Sequence, residues 1–127
     1  MKKLELEEKI SESIEYAKKE LGFVLVSEDW GNKSGKCACA LGCVLIKNNV
    51  ALDSNTNEEV AAKLLGVDNE WVQAFIAGFD ESPWQFDETS TNVKTLREAN
   101  EIGINIRKHF EPMRYDRYAD SFVEDDE

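Results

Sequence analysis

Three cysteines lie within seven residues of one another, and thiols are the most reactive groups that this sequence offers. In the segment CACALGC, Cys39 and Cys43 are spaced so that they share one face of a helix. A structural zinc site needs four ligands, and the single histidine, His109, is far along the chain. The sequence therefore predicts no metal and no cofactor. Free cysteine packs as a small apolar side chain, so we expect these cysteines to be mostly buried.

Cys37 is the best candidate for a reactive thiol in this cluster. We expect it at a helix N-terminus beside Lys33 and Lys36, where the helix end and the cations would lower the pKa of a thiol. One alternative function is therefore a thiol- or metal-dependent protein that uses Cys37, Cys39 and Cys43. No serine or cysteine nucleophile is patterned with a histidine, so we expect no catalytic residues and a protein that is not an enzyme.

The segment GNKSGKC, residues 31–37, resembles a phosphate-binding P-loop because it follows the apolar run FVLV and precedes an expected helix. It departs from that motif in two ways. Three residues rather than four separate Gly31 from Gly35, and Cys37 stands where serine or threonine would hold magnesium. We interpret the segment as a glycine loop that starts a helix.

Aromatic side chains stand in two polar segments of the chain. Trp30 lies in EDWGNKSGK, and Trp84 and Phe86 lie in ESPWQFDETSTN. Aromatic residues in loops either anchor the loop on the core or form hot spots at an interface. The acids around the second pair would attract a basic protein. The candidate partner-binding residues are Asp80, Glu81, Trp84, Phe86, Asp87 and Glu88.

Residues 57–80 have the pattern of two short helices joined by a tight turn. Thr56 and Glu59 form a capping-box pattern, Gly66 can end the first helix, and Asp68 can cap the second. The segment resembles a helix-turn-helix at its small, turn and core positions, which are Ala62, Gly66, Val72 and Phe75. This pattern predicts an αα-corner at the centre of the domain.

The charges of the same segment oppose DNA binding. A DNA-reading second helix exposes arginine, lysine, asparagine or glutamine. The positions that we expect to be exposed here are Asn69, Glu70, Gln73 and Ala74. Residues 57–80 contain five acids and one lysine, a surface that would repel phosphate. We expect no nucleic-acid partner, and a helix-turn-helix-type regulator is the second alternative function.

Hydrophobic periodicity predicts the elements that would position these groups. Helices are expected over about residues 4–21, over Cys37–Ile46 as an all-apolar buried helix, in the αα-corner, and from about Val93 to Phe110. The run FVLV predicts a strand or an extended segment, and a hairpin turning at residues 47–49 competes with the second helix. The expected fold class is mainly α: a single compact domain of about five helices, with room for one short strand or hairpin near residues 23–52.

Composition and charge limit the functions further. The chain has 127 residues and a formal net charge of −11, and we expect a helical domain over residues 1–114 followed by an acidic C-terminal tail over 115–127. No apolar run reaches the length of a membrane span, and the N-terminus lacks the apolar core of a secretory signal. An odd number of cysteines also fits a reducing compartment. We therefore expect a cytoplasmic protein without a membrane partner.

Together these patterns favour a non-enzymatic acidic binding protein that acts on a basic protein partner. Immunity proteins, toxin antidotes and phage-encoded inhibitors are similar in size and charge, which is an analogy of class and not of sequence. The sequence leaves the oligomeric state and the identity of the partner open.

Overall fold

The structure is a computed structural model, and it describes residues 3–27, 29–32, 36–50, 52, 56–83, 93–116 and 121–123. Within these ranges the fold is mainly helical, as the sequence predicts. The helices are α1 (Lys3–Leu21), α2 (Ala40–Lys47), α3 (Asn57–Leu65), α4 (Asn69–Asp80) and α5 (Val93–Phe110). The strands are β1 (Val24–Ser27), β2 (Gly31–Asn32), β3 (Cys37–Ala38), β4 (Met113–Asp116) and β5 (Ser121–Val123).

Helix α1 packs one apolar stripe on the core and exposes a face of lysine and glutamate. Its buried residues are Leu6, Ile10, Ser13, Ile14 and Ala17, at the spacing that an amphipathic helix requires. Gly22 follows with a φ of 73°, a left-handed conformation that glycine adopts without steric cost. The Phe23 N–H then donates to the Ala17 carbonyl oxygen at 2.9 Å, and the chain enters β1.

Helix α2 is the central helix, and residues 40–46 are all buried. It begins later than the predicted Cys37–Ile46 helix, because Cys37 and Ala38 form β3 and pair with β1 in parallel. Cys39 is the N-cap, with an extended backbone at φ −78° and ψ 179°. The competing hairpin at residues 47–49 does not form. Instead the Asn48 N–H donates to the carbonyls of the last turn, and Asn49 adopts a φ of 62°.

The short strands form one sheet in the order β2-β3-β1-β4-β5. Strand β1 is central and pairs in parallel with both β3 and β4, while β2 and β5 pair antiparallel to their neighbours at the two edges. The sequence allowed one strand or hairpin near residues 23–52, whereas three strands form there. Strands of two to four residues are too short for a period-two pattern to reveal them. The sheet also continues past residue 114, where the acidic tail was expected to begin.

The predicted αα-corner is present as α3 and α4. Gly66 ends α3 in the left-handed conformation at φ 72°, and the Asp68 carboxylate accepts a 3.0 Å hydrogen bond from the Trp71 N–H at the start of α4. The capping-box prediction at Thr56 is wrong. Thr56 is the N-cap of α3, but at φ −127° and ψ −2° its side chain makes no cap hydrogen bond, since an N-cap residue is usually extended.

Helices α4 and α5 lie in very close contact. A Cβ atom on Gly78 would overlap the carbonyl oxygen of Asn100, and one on Gly103 would overlap the carbonyl oxygen of Phe75. The Asn100 side chain donates a 3.0 Å hydrogen bond to the Ala74 carbonyl oxygen. Ala74, which was expected to be exposed, is therefore buried, because α5 covers that side of α4.

Candidate functional site

A cavity of about 190 Å³ lies between the β1–β2 loop, the start of α2 and the last turns of α4. We call it the acidic cavity. Its floor consists of buried residues, which are Cys39, Ala40, Leu41, Phe75 and Phe79. Its rim consists of half-buried residues, which are Asp29, Trp30, Ile76 and Asp80. The cavity therefore combines a mostly apolar lining with two half-buried aspartates.

Backbone contacts with α2 hold the loop that supplies one side of the rim. The Cys39 N–H donates a 3.0 Å hydrogen bond to the Trp30 carbonyl oxygen, and the Gly31 N–H donates to the Asp29 carboxylate at 3.2 Å. Gly31 has a φ of 110°, and a Cβ atom there would overlap the backbone of β3. Only glycine allows this approach, so the position of Asp29 and Trp30 follows from the pairing of β2 with β3.

Helix α4 supplies the opposite side of the acidic cavity. Trp71, Phe75 and Phe79 repeat every four residues and stack along one face, with ring centroids 5.7 Å and 6.1 Å apart. Stacked aromatic pairs add to the stability that burial alone provides. Phe75 and Phe79 are almost fully buried and form a rigid wall. Asp80 is the last residue of the helix and also lines the cavity.

The charged residues in the described lining of the cavity are acidic. None of the nine described residues that line it is basic, and two are aspartates. Burial, with smaller contributions from the charges of Asp80 and Asp29, raises the pKa of the Cys39 thiol from its ordinary value of 9.0 to about 12. The thiol itself is neutral at physiological pH.

The C-terminal end of α4 contains two residues that disfavour a helix end. Asp80 places a negative charge at the negative end of the helix dipole, and Glu81 adopts a left-handed φ of 59° where glycine would be preferred. Arg107 of α5 compensates for both. Its Nη1 atom donates a 2.6 Å hydrogen bond to the Phe79 carbonyl oxygen, and its Nε atom lies 3.3 Å from the Glu81 carboxylate.

The three cysteines are buried, as predicted, with the residues Cys37, Cys39 and Cys43 exposed by 2%, 7% and 1%. The expected position of Cys37 at a helix N-terminus is wrong, since Cys37 lies within β3. Cys39 takes that position, and its Sγ atom accepts a 3.3 Å hydrogen bond from the Gly42 N–H. The helix end that was expected to act on the Cys37 thiol is therefore absent from that position, while Lys33, the other expected neighbour besides Lys36, lies outside the described residues.

The other two thiols have no features of a nucleophile or a metal ligand. Burial raises the pKa of Cys43 as well, and the neighbouring Cys39 raises it further, so both thiols stay protonated at neutral pH. A thiolate is the form that attacks substrates and binds metals. In the part of the chain that the structure describes, no three histidine, cysteine or acidic side chains are grouped so that they could hold a metal ion.

The structure covers only part of the predicted partner-binding set. Asp80 lies on the rim of the acidic cavity, and Glu81 follows it and pairs with Arg107. The remaining members lie outside the described residues, and they are Trp84, Phe86, Asp87 and Glu88. Sequence reasoning missed Asp29 as a site residue. The only sequence signal for Asp29 was its position beside Trp30 in a polar loop. The fold is needed to show that this loop and Asp80 line the same cavity.

A second, wider groove of about 600 Å³ lies between the start of α1, the αα-corner and α5. Its charged lining residues have both signs, and they are Lys3, Asp68 and Glu98. Lys3 also forms a 2.8 Å ion pair with Glu101 on α5. An exposed ion pair of this kind contributes little to stability. The mixed charges of this groove give no indication of what it would bind, so the acidic cavity is the better candidate site.

Two further findings are negative: one concerns membrane-spanning helices, and the other concerns similarity to known proteins. Among the described residues, no helix combines the length and the apolar character needed to cross a membrane. Comparison of the chain with protein-family models, with curated proteins and with solved structures finds no match. The candidate site is therefore identified from geometry alone, as the cavity that Asp29 and Asp80 help to line.

Proposed function

We propose that this protein is a non-enzymatic binding protein whose acidic cavity receives part of a basic protein partner. The observation that carries the proposal is a cavity whose described lining is mostly apolar, includes Asp29 and Asp80, and contains no basic residue among the residues that the structure describes. A side chain of the partner that fills such a cavity supplies affinity, because central and desolvated contacts dominate binding energy. The carboxylates select a positively charged surface and exclude a negative one.

The charge of the whole chain supports the same kind of partner. A net charge of −11 produces a long-range negative field, which accelerates association with a basic protein and slows association with an acidic one. Asp80 and Glu81 belong to the surface that we propose, and Trp84, Phe86, Asp87 and Glu88 extend it along the sequence. We place the protein in the cytoplasm, with a role comparable to that of an immunity protein or an inhibitor.

The unfavourable end of α4 is a second line of support. An acid at a helix C-terminus costs about 0.3–1 kcal/mol, and a non-glycine residue in the left-handed conformation costs about 1–2 kcal/mol. Both occur in succession at Asp80 and Glu81, and stabilisation comes from a third residue, Arg107. Residues that break a local rule in this way are concentrated at functional sites.

The alternative functions gain no comparable support. A thiol-dependent activity needs a thiolate, whereas Cys39 and Cys43 are buried and neutral. A DNA-reading helix needs a free basic face, whereas α4 carries Glu70 on its exposed side and is covered by α5 on another. We therefore propose the binding function in preference to the two alternatives.

Affinity capture from an extract of the native cells tests the proposal. The bait is compared with an Asp29→Asn, Asp80→Asn double variant, which removes two charges and keeps the oxygen that accepts the Gly31 N–H. The matched control is Glu12→Gln, Glu15→Gln, which removes two charges from the exposed face of α1. We expect the wild type and the control to retain one basic protein and the cavity variant to lose it. Equal recovery by the cavity variant would refute the proposal.

A further inference from the structure

The size of the acidic cavity limits the group that can enter it. An apolar cavity of about 150 Å³ in a protein core binds benzene. The acidic cavity is slightly larger, at about 190 Å³, and it lies between the β1–β2 loop, α2 and α4. A space of this size holds a single side chain with one ring, whereas a whole helix, which is about 10 Å across, does not fit.

The floor of the cavity offers an entering group almost no hydrogen bonds. The Cys39 N–H already donates a 3.0 Å hydrogen bond to the Trp30 carbonyl oxygen, and the Cys39 Sγ atom already accepts one of 3.3 Å from the Gly42 N–H. The thiol proton is only a weak donor, and the other described residues of the floor have apolar side chains. A polar group that reached the floor would leave its bonds to water unreplaced, which is costly. The end of the entering group must therefore be apolar.

The walls of the cavity favour an aromatic ring over an aliphatic group. Trp30 lines the cavity from the β1–β2 loop, and Phe75 and Phe79 line it from α4. Aromatic rings attract one another through their quadrupoles, in addition to the effect of burial. Leu41 of α2 and Ile76 of α4 add further apolar surface to the lining. A single uncharged ring therefore gains more in this space than a branched aliphatic side chain of similar size.

We infer that the acidic cavity is a pocket for one phenylalanine of the basic partner, whose ring lies against Trp30, Ile76 and Phe79. This inference rests on the proposed function and names the side chain that the partner must insert. The apolar lining alone carries it, whichever groups Asp29 and Asp80 contact. A tyrosine would bring its hydroxyl to the floor without a partner among the described residues, and an arginine would have to take its charge out of water.

An NMR titration of the ¹⁵N-labelled full chain tests the inference with four blocked amino acids. These are the N-acetyl N-methylamides of phenylalanine, tyrosine, leucine and arginine. We expect the phenylalanine compound to shift the Trp30 indole and Ile76 amide signals saturably. Its affinity should exceed that of the tyrosine compound by about tenfold, because the phenol hydroxyl has no partner at the floor. It should exceed that of the leucine compound by about threefold, because the contacts between rings are lost. The arginine compound should bind no more tightly than the tyrosine compound.

Two variants locate the binding site on the protein. Ile76→Ser removes apolar atoms from the rim of the cavity and should weaken binding of the phenylalanine compound by about fivefold. The matched control is Ile104→Ser, because Ile104 is an exposed isoleucine of α5 and is not among the residues that line the cavity. The control should change the affinity by less than about twofold. The comparison of the four compounds uses the wild type, so it does not depend on the folding of either variant.

The phenylalanine inference would be overturned by equal or tighter binding of any other compound, by shifts centred outside the cavity, by the absence of a saturable shift, or by equal effects of the two variants. The capture experiment with the Asp29→Asn, Asp80→Asn variant tests the proposed function separately. Should the phenylalanine compound fail while that variant still loses the captured protein, only this inference falls. Should capture survive in that variant, the proposed function itself falls.

Discussion

Gly42 lies directly against the carbonyl oxygen of Trp30. A Cβ atom at position 42 would be 2.7 Å from that oxygen, which also accepts the 3.0 Å hydrogen bond from the Cys39 N–H. The loop that carries Asp29 and Trp30 can approach α2 this closely only because residue 42 has no side chain. This contact couples the packing of the central helix to the shape of the acidic cavity.

We therefore predict that Gly42→Ala both destabilises the fold and displaces Trp30. An added methyl group in a tightly packed site costs about 1–3 kcal/mol, which urea denaturation would measure. The Trp30 indole signal should also move. Gly22→Ala is the control, because Gly22 has a φ of 73° but open space where a Cβ atom would lie. It should lower stability by about 1–2 kcal/mol and leave Trp30 unchanged. Native stability in Gly42→Ala would contradict the packing described here.

Arg107 should be the main stabiliser of the end of α4. Arg107→Met keeps the apolar stem and removes the hydrogen bond to the Phe79 carbonyl oxygen and the pairing with Glu81. We expect the free energy of unfolding to fall by about 1.5–3 kcal/mol, the contribution of a hydrogen bond to a charged group. Lys108→Met is the control, because Lys108 is exposed on the same helix. Equal losses in the two variants would show that Arg107 has no special role.

The buried thiols predict a loss of stability in alkaline solution. Cys39 has a pKa raised from 9.0 to about 12 by burial, and burial raises the pKa of Cys43 too. Below pH 9 the folded and unfolded chains both keep these protons, so the thiols have no effect on the pH dependence. Above pH 9 the unfolded chain loses them first, so the unfolded state binds fewer protons and stability falls.

The measurement compares the wild type with a Cys39→Ala, Cys43→Ala variant. Between about pH 8 and about pH 10 the wild type should lose about 2–3 kcal/mol more than the variant, at roughly 1.4 kcal/mol per pH unit for each thiol. The comparison of slopes removes the cost of the alanine substitutions and the titration of other groups. Parallel curves would mean that the thiols ionise as readily in the folded protein as in the unfolded chain.

Duplex DNA should not bind to this protein. The exposed residues of α4 include Asn69, Glu70 and Gln73, and the Gln73 side chain donates a 3.2 Å hydrogen bond to Glu58 on α3. This surface provides no cations to replace the counterions of phosphate. Fluorescence anisotropy with a labelled duplex at low salt is the measurement. Micromolar binding that weakens steeply as salt is added would contradict the prediction.

Local signals explain which parts of the fold could be predicted. Helix α5 was predicted with the bounds that the structure has, because its periodic apolar residues are followed by Pro112. The turn of the αα-corner was also predicted, since Gly66 and Asp68 act on neighbouring backbone groups. The start of α2 was not, because Cys37 is drawn into β3 by pairing with Val24, a contact between distant parts of the chain.

The acidic cavity depends on the same kind of distant contact. Asp80 could be chosen from sequence because it begins an acidic loop, but nothing in the sequence associates it with Asp29 or Trp30. Those residues meet because β2 pairs with β3 and places the loop against α2 and α4. The burial of Ala74 has a similar origin, because α5 packs on α4 at the close contacts made by Gly78 and Gly103.

The most direct test of the central claim is the dissociation constant of the purified partner for three forms of the protein. These are the wild type, the Asp29→Asn, Asp80→Asn variant and the Glu12→Gln, Glu15→Gln control. Each of the two variants lacks two of the negative charges of the wild type. We predict that the cavity variant binds more than about tenfold more weakly, because removing one side of a buried charge pair leaves the partner's charge buried and unpaired. The control should change by less than about twofold, since distant surface charges are screened. Equal weakening in both variants would contradict the account, because binding would then depend on net charge and not on the acidic cavity.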